Sequence, residues 1–441
     1  MTRLLKELEC NILKTIQKFR PSFLTTVLLG LFVFRLAYGL SLEFWEDDEL
    51  QIFLLGFDFF AHSSWPYFGP DVVHTDQQIA GALQSFLVGG PLFLWPAPES
   101  SYLLLNILSF GGLLALGRWL SRRFTNLPAV WVYLWLMTLP WTLNISTHLY
   151  NPSYLMFSSC LFFVACFEVI PAISVGMLNG MAAWFLMGFS VAWSLQLHLS
   201  WPLLIPFVLA AFTLTREPRT WCQPAYFVAG FALPTLLLVP TILKYGMYEV
   251  VAPLLGNSGV NQRNMSDPLT IIARFISFGA YEVPRFLTDR EEDRLMYLFS
   301  HPWLIPFAVI LAVTGVIQPI VILYGIFVKK VPPLVRLLIG LTLVELCVIF
   351  MFSTRPPTAR NYIILFPVAA LAALHGMNFL LVGARRMRVA KILISLAVIY
   401  QGLLLIGFFG DRSLYLDRDK VMAAIKTKNI HLVGERRSFS R

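Results

Sequence analysis

Glu43-Phe44-Trp45-Glu46-Asp47-Asp48-Glu49 decides how this chain is read. It follows directly on Phe23 to Leu42, an apolar run of the roughly 20 residues that cross a bilayer. From Glu43 to Glu99 there is no lysine or arginine, while Asp58, Asp71 and Asp76 add further acids. Phe53, Phe57, Phe59, Phe60, Trp65, Tyr67 and Phe68 run between them. A loop that only joined two spans would be short and polar. This one is long, acidic and amphipathic. It is expected to lie on the membrane surface and form a pocket there, with its aromatic residues as interface anchors.

Composition agrees with a membrane setting. Of the 441 residues, 57% are hydrophobic and 13% charged, and the mean hydropathy is +0.69. A soluble domain carries roughly 25% charge. The net charge of +9 does not point to nucleic acid, because much of it lies in short loops between apolar runs, where it sets orientation. Cys10, Cys160, Cys166, Cys222 and Cys347 show no zinc spacing, and none falls in a segment read as external. Neither disulfides nor thiolate metal sites are expected.

Working outward, residues 1–22 read as a basic, amphipathic cytoplasmic N-terminus attracted to anionic lipid. Residues 23–410 read as the transmembrane domain. It contains a first outer loop over 43–100 and a second over 244–302, and a short external tail follows over 411–441. Within the first loop, Ile79 to Trp95 is expected as an interfacial helix. Further spans are expected at 101–120, 127–143, 153–169, 175–195, 201–214, 226–243, 303–328, 337–352, 362–382 and 392–409, about eleven in all with the first. Arg122-Arg123, Arg216 with Arg219, Lys329-Lys330 with Arg336, and Arg385 to Lys391 then fall on the side of the basic N-terminus, as the positive-inside rule requires. The fold class is all-α and polytopic. No transporter-type internal repeat is visible.

Several residues could carry chemistry. A carboxylate under apolar cover at a membrane surface can work as a general base, and Asp47, Asp48 and Glu49 are placed for this. The plain alternative is a solvated acidic turn that ends the first span. Arg355 and Arg360 lie in a short outer turn, where topology does not favour positive charge. They suit an anionic phosphate or, alternatively, lipid headgroups. Arg35, near the outer end of the first span, meets a phosphate or an acid of the loop, or snorkels to the interface. His148 and His198 are candidate sugar or phosphate partners, or satisfied interface histidines. Asn151 contacts sugar or begins the turn before Pro152.

Trp45 to Glu49, Tyr67 to Pro70, Thr75 to Gly81, Gly89 to Trp95, His148 to Ser153, Gln196 to Ser200 and Arg360 to Pro367, in that order along the chain, resemble the GT-C glycosyltransferases of the protein O-mannosyltransferase and aminoarabinose (lipid A) transferase type. Trp45-Glu46-Asp47-Asp48-Glu49 is similar to the start of that family's first outer loop, which opens on an Asp-Glu pair. Only Asp48-Glu49 reproduces the pair. Tyr67-Phe68-Gly69-Pro70 and Gly89-Gly90-Pro91-Leu92-Phe93-Leu94-Trp95 resemble its course into the second span. Thr75-Asp76-Gln77-Gln78-Ile79-Ala80-Gly81 resembles its acidic stretch, with Gln77-Gln78 where the family has His-Pro or Lys-Pro. His148 to Ser153 resembles a "WNPS" turn, Gln196 to Ser200 a "QLHxS" turn, and Arg360 to Pro367 an "RYxxPxxP" entry with Asn361 inserted.

The resemblance implies an inverting transferase that moves a sugar from a polyprenyl-phosphate donor to a lipid, glycan or protein acceptor on the outer face. Asp48 takes the role of base, with Asp47 as the alternative and Glu49 beside them. Arg360, Arg355, Tyr362 and Arg35 would face the donor phosphate. Asp76, His74, His198, Asn151 and His148 would face sugar or acceptor. No cofactor is expected; a divalent metal on Asp48, Asp76 or a histidine is the lesser alternative. The other partners implied are membrane lipids and no nucleic acid, for a monomer in a bacterial inner membrane with its site facing outward. The rival readings are a transporter or flippase of lipid-linked glycans and a non-catalytic scaffold.

Overall fold

The computed structural model describes residues 22–42, 47–72, 77–215, 222–256, 259–260, 268–281, 293–328, 331–352, 359–411 and 414–433. The N-terminal segment read as amphipathic lies outside them, as do Arg355, His74 and Asp76.

The described chain is helical apart from one two-stranded hairpin. The helices are α1 (Phe23–Ser41), α2 (Asp47–His62), α3 (Leu83–Leu94), α4 (Glu99–Arg123), α5 (Ala129–Thr138), α6 (Pro140–Ser146), α7 (Leu155–Val169), α8 (Gly180–Leu195) and α9 (Ile205–Leu214). There follow α10 (Cys222–Thr235), α11 (Val239–Tyr245), α12 (Tyr248–Gly256), α13 (Pro268–Ser277), α14 (Asp293–Ser300), α15 (Ile305–Val328) and α16 (Pro333–Met351). Last come α17 (Ala359–Tyr362), α18 (Phe366–Met377), α19 (Ala384–Asp411) and α20 (Arg418–Thr427). Strands β1 (Phe68–Asp71) and β2 (Gln78–Ala80) pair antiparallel between α2 and α3.

Five stretches of helix are long and apolar enough to cross a membrane, and six if α10 and α11, bent by 67°, form one span. Each apolar segment read from the sequence falls on a helix or a broken helix. α10 packs on α8, α8 on α7 and α7 on α4, while α15 packs on α18 and α18 closes onto α7. The fold is an all-α polytopic membrane bundle.

The structure corrects four expectations. The helix expected from Ile79 begins only at Leu83. Gln78 to Ala80 is taken up by pairing with β1, and Gly81 turns the chain at φ 117°, a conformation that favours glycine. The span expected over 127–143 is broken at Leu139, because Pro140 cannot donate to the carbonyl of Leu136. Thr142 Oγ1 donates to that carbonyl instead at 3.0 Å. The span expected from Val175 starts at Gly180. The N–H groups of Val175 and Met177 donate to Glu168 instead, at 3.0 and 2.9 Å, and Asn179 caps the helix. Finally, Phe53, Phe57 and Phe60 are buried in protein rather than anchored in lipid. α2 lays this face on α3, with Phe59 edge-on to Phe86 and Phe93.

That last packing depends on glycine. A Cβ on Gly89 would collide with the carbonyl of Gly56, so the two helices meet backbone to backbone. The C-terminal tail folds over the same region. Arg418 of α20 pairs with Glu99 at 2.5 Å, and Lys428 Nζ lies 5.2 Å over the Phe60 ring.

Candidate active site

Four turns and the first turn of α2 converge at one end of the bundle. Asp47 and Asp48 open α2, but their side chains lie outside the described residues. Glu49 is described and buried. Its Oε1 lies 3.7 Å from His148 Nε2, in the turn after α6. That separation is too long for a hydrogen bond. The His148 ring stacks flat on Tyr150, centroids 4.6 Å apart, and its buried Nδ1 has no hydrogen-bond partner among the described residues. The turn is held from both sides: Asn106 Nδ2 donates to Thr147 O at 2.9 Å, and Gly39 lets α1 approach the same carbonyl. Asn151 follows, joined to Pro152 by a cis peptide, with a buried Oδ1 that has no hydrogen-bond partner among the described residues.

Two residues past Glu49, Gln51 donates to Asp71 of β1. Gln78 of β2 donates to the other Asp71 oxygen at 2.5 Å. Asp71 is buried, so this carboxylate ties α2 to the hairpin. Sequence reasoning counted it only as one acid among many. A signal was present: Gln77-Gln78 departs from the family pattern, and the hairpin gives the second glutamine an acidic partner. The hairpin in turn leans on the end of α8, where Gly81 abuts the Gln196 side chain. Thr241 Oγ1 and Gly81 N both donate to Tyr67 O, at 2.7 and 2.9 Å. Lys244 Nζ lies 4.2 Å over the Tyr67 ring, a cation at this mouth that the sequence did not single out.

His198 lies two residues beyond Gln196 and is buried. Ser200 N donates to its Nδ1 at 3.1 Å, and Ser200 Oγ lies 2.9 Å from the same atom. An acceptor at Nδ1 leaves the proton of a neutral ring on Nε2. Burial, and then the nearby charge of Arg360, push its pKa down to about 3. His198 is therefore a neutral N–H donor beside a guanidinium at neutral pH. Arg360 is half-buried in α17. The chain just after it is fixed by Ser159 Oγ of α7, which donates to Ile364 O at 2.6 Å. Tyr362 is fully buried, its ring 5.2 Å from Phe278.

Arg35 belongs elsewhere. It is fully buried, and Nη1 donates to Met137 O at 2.8 Å. Nη2 donates to Thr142 O at 3.2 Å and to Ser146 Oγ at 2.8 Å. The guanidinium satisfies carbonyls at the break between α5 and α6, where the bilayer offers no water, and the expectation that it faces a phosphate is corrected. Among the described residues no three His, Cys, Asp or Glu side chains gather to hold a metal.

The structure thus joins Glu49 to His148, ties α2 to the hairpin through Asp71, leans the hairpin on the end of α8 at Gln196, and holds His198 within reach of the Arg360 charge. Such a site offers carboxylates for proton transfer, and a cation with a neutral donor for an anion.

No family profile matches the chain, and no curated protein matches it. Solved structures do. ArnT from Cupriavidus metallidurans bound to undecaprenyl phosphate superposes with a TM-score of 0.51 at 12% identity, covering 94% of this chain and 77% of that one. The same protein in its apo state gives 0.46 at 14% identity, covering 93% and 76%. ArnT is an aminoarabinose lipid A transferase of GT-C fold. The chain therefore has an all-α membrane fold of the ArnT, GT-C type.

Proposed function

We propose that this protein is a membrane glycosyltransferase that takes a sugar from a polyprenyl-phosphate donor and passes it to a lipid, glycan or protein acceptor. The observation that carries the reading is buried His198, whose Nδ1 is held by Ser200 and which lies within reach of the Arg360 charge, together with the contact of Glu49 at the acid-bearing start of α2 with His148. The fold likeness to ArnT supports it. In this reading Asp48, or Asp47 beside it, accepts the acceptor's hydroxyl proton. The acceptor oxygen bonds to the anomeric carbon from the face opposite the phosphate, and the carbon–oxygen bond to phosphate breaks. The configuration inverts and polyprenyl phosphate leaves. Arg360 and the His198 Nε2–H neutralise the departing charge, which is the usual main contribution of such fixed donors. Glu49 stands beside the catalytic acids, Arg355 and Tyr362 join Arg360 at the donor phosphate, and His148, Asn151, His74 and Asp76 face sugar or acceptor. The protein acts as a monomer, with its N-terminus cytoplasmic and its site outward, and needs no cofactor.

A transport reading draws on one observation. Glu345 of α16 is buried, and neither carboxylate oxygen has a hydrogen-bond partner among the described residues. Ionisable groups inside spans mark proton or substrate pathways in transporters. A single carboxylate without a described partner weighs less than the converging turns.

Mass spectrometry of surface glycolipids and glycoproteins tests the proposal, using cells with the wild type, a deletion, or Asp48→Asn at matched expression. The expected result is one glycan lacking a single sugar in both altered strains, with turnover down roughly 10²- to 10⁴-fold for loss of a general base. Full rescue of a deletion phenotype by Asp48→Asn removes Asp48 as the base. If Asp47→Asn also rescues fully, the transport reading takes over.

A further inference from the structure

Away from this site a groove of about 440 Å³ runs between α5, α15, α18 and the start of α19. It lies at the basic end of the bundle, where α4 finishes at Arg122-Arg123 and α19 begins with Arg385, Arg386, Arg388 and Lys391. Its volume is that of a small-ligand pocket. Its deep end is lined mostly by apolar side chains and, among the described residues, offers a ligand few polar partners. Tyr281 N donates to Gln318 Oε1 at 3.1 Å, and Tyr281 Oη lies 3.4 Å from Thr138 Oγ1. Thr314 Oγ1 donates to Ile310 O at 2.8 Å, Gln318 Nε2 reaches only Met377 Sδ at 3.9 Å, and the Trp135 indole nitrogen is buried without a hydrogen-bond partner among the described residues. What remains is a hydrocarbon wall. The mouth differs: Arg386 is exposed there, half-buried Lys391 has its Nζ 5.7 Å over the Trp131 ring, and no acid is among the lining residues.

We propose that this groove binds one anionic phospholipid, with an acyl chain along Trp131, Trp135 and Ile317 and the phosphate between Arg386 and Lys391. The wall disfavours a ligand with several polar groups at depth, because those groups would lose their hydration with few partners to replace it. The two cations select against a zwitterionic headgroup by the attraction that draws basic segments to anionic lipid. The site stands apart from the transferase reading and does not depend on it.

Native mass spectrometry of the detergent-purified, full-length protein tests this. The probes are phosphatidylglycerol, phosphatidylcholine with the same acyl chains, and undecaprenyl phosphate. The expected result is one tightly held phosphatidylglycerol. Arg386→Gln/Lys391→Gln lowers its affinity about thirty-fold and leaves phosphatidylcholine unchanged. Ala390→Trp, which fills the groove, lowers both. The charge variant alters one exposed and one half-buried side chain, so it tests the site even if Ala390→Trp does not fold. Equal affinity for the two phospholipids in the wild type overturns the proposal. So does phosphatidylglycerol binding that ignores the double substitution, or undecaprenyl phosphate displacing phosphatidylglycerol one for one.

Discussion

His148 Nε2 stands 3.7 Å from Glu49 Oε1, with only 6% and 11% of the two side chains open to solvent. The pair links the turn after α6 to the helix that follows Asp47 and Asp48, so it fixes how the acidic turn meets the bundle. Removing one partner leaves the other buried and unanswered, whereas removing both does not. Glu49→Gln and His148→Gln should each destabilise the protein. The double variant should lose less than their sum, by on the order of 1 kcal/mol of coupling. Thermal midpoints of the four detergent-purified proteins measure this. Strict additivity would mean that the contact contributes nothing.

His198 gives a pH dependence with a definite sign. Its ordinary value is 6.5, and in the fold burial and Arg360 hold it down to about 3. Between those values the unfolded chain binds a proton that the native protein does not, so stability rises with pH. The contribution is fully present above about 6.5 and is lost as the pH falls toward 3. His198→Gln removes the titrating group, so its thermal midpoint should fall less than the wild type's between pH 7 and pH 4. Transfer activity should show no limb from His198 near neutrality. If the two proteins lose stability in parallel, His198 does not titrate as its burial requires.

Arg35 separates a brace from a ligand. Its two Nη atoms supply donors to Met137 O, Thr142 O and Ser146 Oγ at the α5–α6 break. Arg35→Leu strands the buried carbonyl of Met137, at roughly 1–3 kcal/mol for an unsatisfied group, while Ser146 Oγ still donates to Thr142 O. The yield of folded protein should drop sharply, while the fraction that folds keeps the wild-type KM for the donor. A raised donor KM with normal stability would return Arg35 to the phosphate site.

Arg35 also illustrates how far the sequence could be read. A lone arginine in an apolar run is visible. Its partners lie about a hundred positions away beside a proline break, and two of the three are main-chain carbonyls, which carry no side-chain signal. The spans were legible because long apolar runs leave few alternatives in a bilayer. The hairpin was not, because β1 and β2 have four and three residues, and β1 includes Pro70. Strands that short carry no usable period. His148, His198, Arg360 and Asn151 were singled out as outer-turn residues, but the sequence could not tell that Ser200 fixes the His198 tautomer. Asp71 was hidden among the other acids, since its glutamine partners come from two elements.

Gly89 and Gly90 make the last prediction, because adjacent identical residues should behave in opposite ways. Both lie in α3, and both belong to the stretch that resembles the family's entry into its second span. A Cβ on Gly89 meets the Gly56 carbonyl, main chain that cannot step aside without parting α2 from α3. A Cβ on Gly90 meets nothing within 4 Å. Gly89→Ala should therefore destabilise the α2–α3 pair by at least the roughly 1–3 kcal/mol of an overpacked core, and should shift the acidic turn with it. Gly90→Ala should be neutral or stabilising by up to about 1 kcal/mol, since alanine favours helix over glycine. Thermal midpoints of the two variants, read beside transfer activity, decide the matter. Two equally tolerated alanines would show that α2 does not pack on α3 through Gly56 and Gly89.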